Sequence, residues 1–327
     1  MNIKKSPTPI FVIGAARTGT TNLCNNLTML EGISGALSNY HYGNCESKIL
    51  HHKFHWGNFS KFKNLLNFIS HVQFSDYFKS ANGDINYFIT NRPKNYFEFF
   101  LDLMDSHTLK EGNEYWVTKL DDLFFLHPKE FREFLEILKN KYGEKGFEFI
   151  CISRNLEDSI KSYLYMEGRY ASKRSRGVFR YFAIILQTLR FLFIYRSAST
   201  AINRSFHLKF EDYIKDPAKS TINIPFLKNR QKKSHVENFI INSSFQSKSK
   251  KYVDLGRLEV LAVSIGKLIS SIRIDIPLLK IYTKRNTKID PFYYRSFMHE
   301  HFPDELIKDL TERKAIDLLA HLKLTSE

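Results

Sequence analysis

The stretch Pro9 to Leu27, PIFVIGAARTGTTNLCNNL, limits the fold more than any other part of the chain. Ile10 to Ile13 is an unbroken apolar run, as expected of a strand buried on both faces of a parallel sheet. Gly14 and Gly19 then frame a tight turn, and the spacing of Leu23, Leu27 and Leu30 predicts a helix from about Thr20 to Leu30. A strand–loop–helix of this kind aims backbone N–H groups and the positive end of a helix dipole at an anion. The nucleotide-hydrolysing version needs G-x-x-x-x-G-K-[ST], and here Thr20 stands where the lysine belongs. The nearest cation is Arg17, inside the loop.

Alternation of strand-like and helix-like segments continues through the first two thirds of the chain. NFSKFKNLLNFISHV and KNYFEFFLDLMDSH read as helices, and EYWVTKL as a second buried strand. Pro128 starts a helix whose Phe131, Phe134, Leu135 and Leu138 recur at i, i+3, i+4 and i+7. GFEFICIS, Gly146 to Ser153, is a third strand, a helix follows from Leu156, and FHLKF at Phe206 is a fourth strand. This order predicts an α/β fold: a P-loop-like three-layer arrangement with a central, mostly parallel sheet flanked by helices. No repeat or interdomain linker is legible, so residues 1–327 are expected to form a single domain. The segment Lys228 to Lys251 is polar and rich in Lys and Ser, and FPDELIKDLTERKAIDLLAHL near the end is amphipathic with helical spacing.

The formal net charge of +15 speaks to partners rather than to fold. Zinc-finger spacing, an RNP motif and a basic zipper are all missing from the sequence, so no nucleic-acid partner is expected. The three cysteines, Cys24, Cys45 and Cys151, make no disulfide framework, and the first strand follows the N-terminus with no apolar signal segment. A cytoplasmic protein is expected. Val178 to Arg196 is the most apolar run, but Arg180, Gln187 and Arg190 interrupt the roughly 20 apolar residues that a membrane-spanning helix needs. A partly buried helix is the favoured reading. An interfacial helix in peripheral contact with an anionic membrane is the alternative, prompted by the basic RYASKRSRG just before it.

Ligands of open α/β sheets bind beyond the carboxyl ends of the strands. Three such ends carry a cation: Arg17 in the Gly14 loop, Lys119 after YWVT, and Arg154 after FICIS. Each alone reads as a surface ion pair. Three on one edge predict a ligand with several negative groups.

Taken in order, GAARTGTTNL, WVTKLDDLFFL, FICISRNLEDSIKSYL and LKFEDYIKDP resemble the PAPS-dependent sulfotransferases, nearest to the branch with arginine in the loop. The resemblance covers roughly residues 9 to 217. It implies transfer of a sulfuryl group from 3′-phosphoadenosine 5′-phosphosulfate (PAPS), with no metal, to a hydroxyl or amine of an acceptor. It further implies that Gly14, Ala15, Ala16, Arg17, Thr18, Gly19, Thr20 and Thr21 cradle the 5′-phosphosulfate, while Arg154 and Ser162 grip the 3′-phosphate. Ser159 shares the helix face of Ser162 at i, i+3 and is the fallback. Arg17 would stabilise charge on the leaving group, and Lys119 would lie near the sulfuryl oxygens unless it pairs with Asp121 or Asp122. The family's proline before the loop arginine is Ala16 here. A helical acceptor or lid region is expected at about 165–200, and a variable helical part at about 228–327.

A general base near the sulfur would take the acceptor proton. By the same resemblance it lies on the segment LSNYHYGNCESKILHHKFH, which offers Glu46 and His41. Glu46 is preferred for its CESKIL context, and His41 is close behind because neutral imidazole acts near pH 7 without a shift. HHKFH has no Cys or carboxylate spacing to complete a metal shell, so no metal site is expected. The acceptor classes in view are a glycan, a glycolipid and a small alcohol. Two other functions stay open: a Mg²⁺-dependent P-loop kinase or NTPase, and a non-catalytic nucleotide-binding scaffold. Oligomeric state is not legible.

Overall fold

The computed structural model describes residues 6–15, 17–35, 96–120, 128–169, 176–201, 205–228, 230–231 and 254–271. The elements follow the alternation of the sequence. They are β1 (Thr8–Ile13), α1 (Thr20–Leu27), β2 (Ile33–Gly35), α2 (Tyr96–Lys110), β3 (Tyr115–Lys119), α3 (Pro128–Tyr142) and β4 (Glu148–Ser153). Then come α4 (Leu156–Arg169), α5 (Gly177–Ala201), β5 (Ser205–Lys209), the short α6 (Phe210–Tyr213) and α7 (Pro217–Ile222), a 3₁₀ turn at Pro225–Leu227, and α8 (Arg257–Ser271). The segments NFSKFKNLLNFISHV, LSNYHYGNCESKILHHKFH and FPDELIKDLTERKAIDLLAHL lie outside the described residues.

The five strands among the described residues are all parallel, in the order β2-β3-β1-β4-β5. Helices cover both faces, because successive residues of each strand point to opposite sides and both sides are apolar. Ile10, Val12, Val117, Ile150 and Ile152 pack under Leu23, Cys24 and Leu27 of α1 and against Phe210 and Tyr213 of α6. The alternate residues form an aromatic layer. Phe11 meets Trp116 edge-on at 5.4 Å and Phe134 of α3 at 5.3 Å, and Trp116 meets Phe100 of α2 at 5.9 Å. Asp105 of α2 fastens that layer: its buried carboxylate accepts from Trp116 Nε1 (2.9 Å) and from the Tyr142 hydroxyl (3.0 Å) and pairs with Lys141 Nζ (2.8 Å).

α1 stops three residues short of the predicted Leu30. Thr28 Oγ1 turns back to the Asn25 carbonyl (2.7 Å), and Leu30 N–H bonds Leu27 C=O, a three-residue closure that tightens the end. β5 ends at Lys209, so Phe210 belongs to α6 rather than to the strand.

α4, α5 and α8 make a second, smaller core of Ile160, Tyr163, Leu164, Ala183, Ile184, Ala262 and Val263. Gly266 lets α8 approach α5 closely, since a Cβ there would lie 2.8 Å from Thr188 Cβ. Twenty residues of α5, Gly177–Arg196, are long and apolar enough to cross a membrane, and half of that stretch is buried inside the protein.

Candidate functional site

The carboxyl ends of β1, β3 and β4 bring Arg17, Lys119 and Arg154 to one edge of the sheet. The loop after β1 turns on its glycines. A Cβ at Gly14 would lie 2.5 Å from Thr18 Oγ1 and 2.8 Å from the Ile152 carbonyl, and Gly19 has φ +89°, with the Phe210 ring 2.7 Å from where a Cβ would sit. Thr18 is buried, and its hydroxyl donates to the Ala15 carbonyl (2.7 Å), closing the turn from within. Arg17 takes a left-handed φ of 71°, a conformation that costs a non-glycine residue about 1–2 kcal/mol. The neighbouring groups hold it there: its carbonyl accepts from Arg154 Nη1 at 2.9 Å, and its Nε donates to Ser162 Oγ at 3.4 Å.

The helices that follow β1 and β4 begin at this edge, and their starts differ. α4 is capped by its own sequence. Asn155 Oδ1 accepts from Glu157 N–H (2.9 Å) and Asp158 N–H (3.2 Å), and Glu157 and Asp158 complement the dipole from the first turn. α1 has Gly19 as its N-cap, no side-chain cap and no acid in its first turn. The N-terminus of a helix carries the positive end of its dipole, and α1 points that end into the loop with no acid in its first turn.

Arg154 follows β4 in the alternation that puts Ile150 and Ile152 on the α1 side. Its guanidinium stacks on Phe210, 4.5 Å from the ring centroid. That geometry fixes the plane of the fork while one nitrogen bonds the loop, and a guanidinium carries four further N–H donors. Lys119 ends β3 on the face of Val117, in register with Val12, and the next residue ties the strands by Leu120 N–H to Val12 C=O (2.9 Å). Thr20 is buried at the first position of α1, and Thr21 is half-buried beside it.

The structure thus brings Gly14, Ala15, Arg17, Thr18, Gly19, Thr20, Thr21, Arg154 and Ser162 together, with Lys119 one strand away. Ser162 meets Arg17, which reaches it from the glycine loop. Ser159, also buried, lies one turn earlier on α4. Ala16, Glu46, His41 and the suggested Lys119 partners Asp121 and Asp122 lie outside the described residues.

One element of the site has no explanation in the strand-end pattern. α6 braces the edge from below through three side chains. Phe210 fills the space that Gly19 leaves and supports Arg154, and Glu211 Oε1 accepts from Asn155 N–H (3.0 Å). The Tyr213 hydroxyl donates to Asn22 Oδ1 (2.5 Å) and accepts from Asn26 Nδ2 (2.5 Å), anchoring α1, and burial pushes its pKa up. Across the edge the Tyr195 hydroxyl of α5 donates to the Ile152 carbonyl (2.8 Å), with its pKa likewise raised by burial. The signal for α6 was the aromatic-acid-acid-aromatic run FEDY directly after a strand. The cations and the positive end of α1 at this edge are chemically suited to a ligand with two or more anionic groups.

No family model and no curated protein matches the chain. Among solved structures it is similar to a sulfotransferase domain from the curacin biosynthetic pathway, at 11% identity over 92% of this chain and 100% of that one, with a TM-score of 0.44. A sulfotransferase from Alicyclobacillus acidocaldarius aligns at 13% identity over 88% and 98%, with a TM-score of 0.39. One from Mycobacterium tuberculosis H37Rv aligns at 15% over 84% and 76%, with a TM-score of 0.36. At such scores these likenesses carry no weight. The class, a three-layer α/β protein with a glycine loop between its first strand and helix, rests on the strand order and register themselves.

Proposed function

We propose that this chain is a sulfotransferase that moves a sulfuryl group from PAPS to a hydroxyl or amine of an acceptor, a glycan or glycolipid in the first instance. The observation that carries the reading is the meeting of the positive end of α1, with no acid in its first turn, with two guanidinium groups, Arg17 and Arg154, joined through the Arg17 carbonyl. A triphosphate site would need the loop lysine, and a Mg²⁺-holding carboxylate would suit the end of β4. Thr20 occupies the first position and Ser153–Arg154 the second.

In this reading the α1 terminus and loop N–H groups hold the 5′-phosphate, and Arg154 and Ser162 hold the 3′-phosphate. Arg17 lies at the bridging oxygen. The acceptor oxygen attacks sulfur in line, the bond from sulfur to the bridging oxygen breaks, and its electron pair stays on the departing 5′-phosphate. Arg17 stabilises that charge, which suits a planar charge-assisted donor. Lys119 steadies the sulfuryl oxygens. Glu46, or His41 in its place, takes the acceptor proton.

The test is turnover of PAPS by the full chain in the presence of a chelator, across a panel of sugar, lipid-linked and aromatic alcohols. Acceptor-dependent release of 3′-phosphoadenosine 5′-phosphate is expected, and Glu46→Ala or His41→Ala should abolish it with nucleotide binding retained. Binding with no turnover on any acceptor would leave a scaffold. Hydrolysis of ATP·Mg²⁺ in its place would make the chain a P-loop NTPase.

A further inference from the structure

Among the described residues of the second core, the start of α5 carries the most exposed apolar side chains. Val178 is 80% exposed, Phe179 65% and Phe182 48%. Residues 178, 179 and 182 share one side of the helix. The other side is occupied: Arg180 pairs with Glu259 of α8, and Ala183 and Ile184 enter the core with α4 and α8. The patch sits at the tip of the α4–α5 pair. It lies about 24 Å along α5 from Tyr195, the residue that touches the end of β4, at 1.5 Å per residue.

The sequence leading into the patch is basic. No Asp or Glu occurs between Glu167 and Glu211, whereas Lys173, Arg174 and exposed Arg176 immediately precede the patch in sequence. On the packed helix α8, Glu259 is engaged by Arg180. A surface that is apolar beneath and anionic above matches this composition, because valine and phenylalanine enter the acyl boundary while arginine stays at the headgroups.

We propose that the tip formed by the start of α5 docks on an anionic lipid bilayer, with Val178, Phe179 and Phe182 inserted and Arg176 at the headgroups. This is peripheral attachment through one helix end. It does not depend on what the nucleotide edge binds.

The experiment is co-sedimentation of the full chain with vesicles of neutral phosphatidylcholine, and with vesicles containing about a third phosphatidylserine. Binding is expected only to the anionic vesicles. Phe179→Ser/Phe182→Ser leaves the charge unchanged and alters exposed residues, and it should weaken binding about tenfold or more. Arg176→Glu should weaken it about fivefold or more and reduce its salt dependence. Leu261→Ser/Leu268→Ser, on the exposed face of α8, should leave it unchanged. Three results would overturn the proposal: no vesicle binding, binding that the phenylalanine variant retains in full, or loss caused by the α8 variant alone. Concentration-dependent self-association abolished by Phe179→Ser/Phe182→Ser, without vesicle binding, would assign the patch to a second copy and overturn it as well.

Discussion

Replacing Phe210 by leucine separates the two roles of that ring. The ring is buried beneath the glycine loop and holds the Arg154 guanidinium at 4.5 Å. Leucine retains an apolar side chain of roughly similar bulk, so the core should lose less than about 1.5 kcal/mol. The cation–π stack is lost entirely, and such a stack contributes about 0.5–2 kcal/mol depending on how far it is desolvated. If the stack serves to hold Arg154 in its ligand-binding pose, that energy appears in affinity. It corresponds to a roughly 2- to 30-fold weaker dissociation constant for 3′-phosphoadenosine 5′-phosphate. Arg154→Ala removes the charged donors themselves, worth about 1.5–3 kcal/mol for a hydrogen bond to a charged group, and should weaken binding by roughly 10- to 150-fold. Calorimetric titration gives both numbers, and thermal denaturation of the same samples gives the core term. Unchanged affinity in Phe210→Leu beside a large loss in Arg154→Ala would refute the argument and leave Phe210 as core packing alone.

Other perturbations follow from the same contacts. Gly19→Ala meets both a positive φ and the Phe210 ring, whereas Gly143→Ala, with φ +73° and open space around it, meets only the first. In urea denaturation Gly143→Ala should lose about 1–2 kcal/mol and Gly19→Ala clearly more; equal losses would show that the Phe210 contact is slack. Burial raises the Asp105 pKa despite the Lys141 ammonium beside it. The folded state therefore keeps the Asp105 proton where the unfolded chain releases it, and stability falls as pH rises from the ordinary carboxylate range. Relative to Asp105→Asn, wild type should be at its most stable in acid and lose ground as pH climbs; a difference independent of pH contradicts this. Burial pushes the Cys151 thiol up to about 12. Iodoacetamide at pH 8 should leave Cys151 unmodified by mass spectrometry until denaturant is added, and rapid native labelling would show that β4 is accessible.

What could be read from the sequence was what neighbouring residues decide. Ile10–Ile13, the glycine turn and the three strand-end cations are local patterns, and the structure places them as the strand alternation predicts. Ile33–Gly35 escaped because three residues show no period. The buried face of α8 was hidden by a misleading one. Its large residues Leu258, Leu261, Ile265 and Leu268 recur as a core face should, yet they are exposed, and the small Ala262 and Gly266 are buried because α5 comes too close for anything larger. The meeting of Arg17 with Ser162, 145 residues apart, and the support of Arg154 by Phe210 are tertiary facts that no spacing encodes. The base candidates Glu46 and His41 stand as sequence readings.

The most direct test of the central claim is calorimetric titration of the full chain with 3′-phosphoadenosine 5′-phosphate, without and then with Mg²⁺, on wild type and Arg154→Ala. The account predicts binding that is indifferent to the metal and strongly weakened in the variant. No binding of that nucleotide, together with clear affinity for ATP·Mg²⁺, would contradict it.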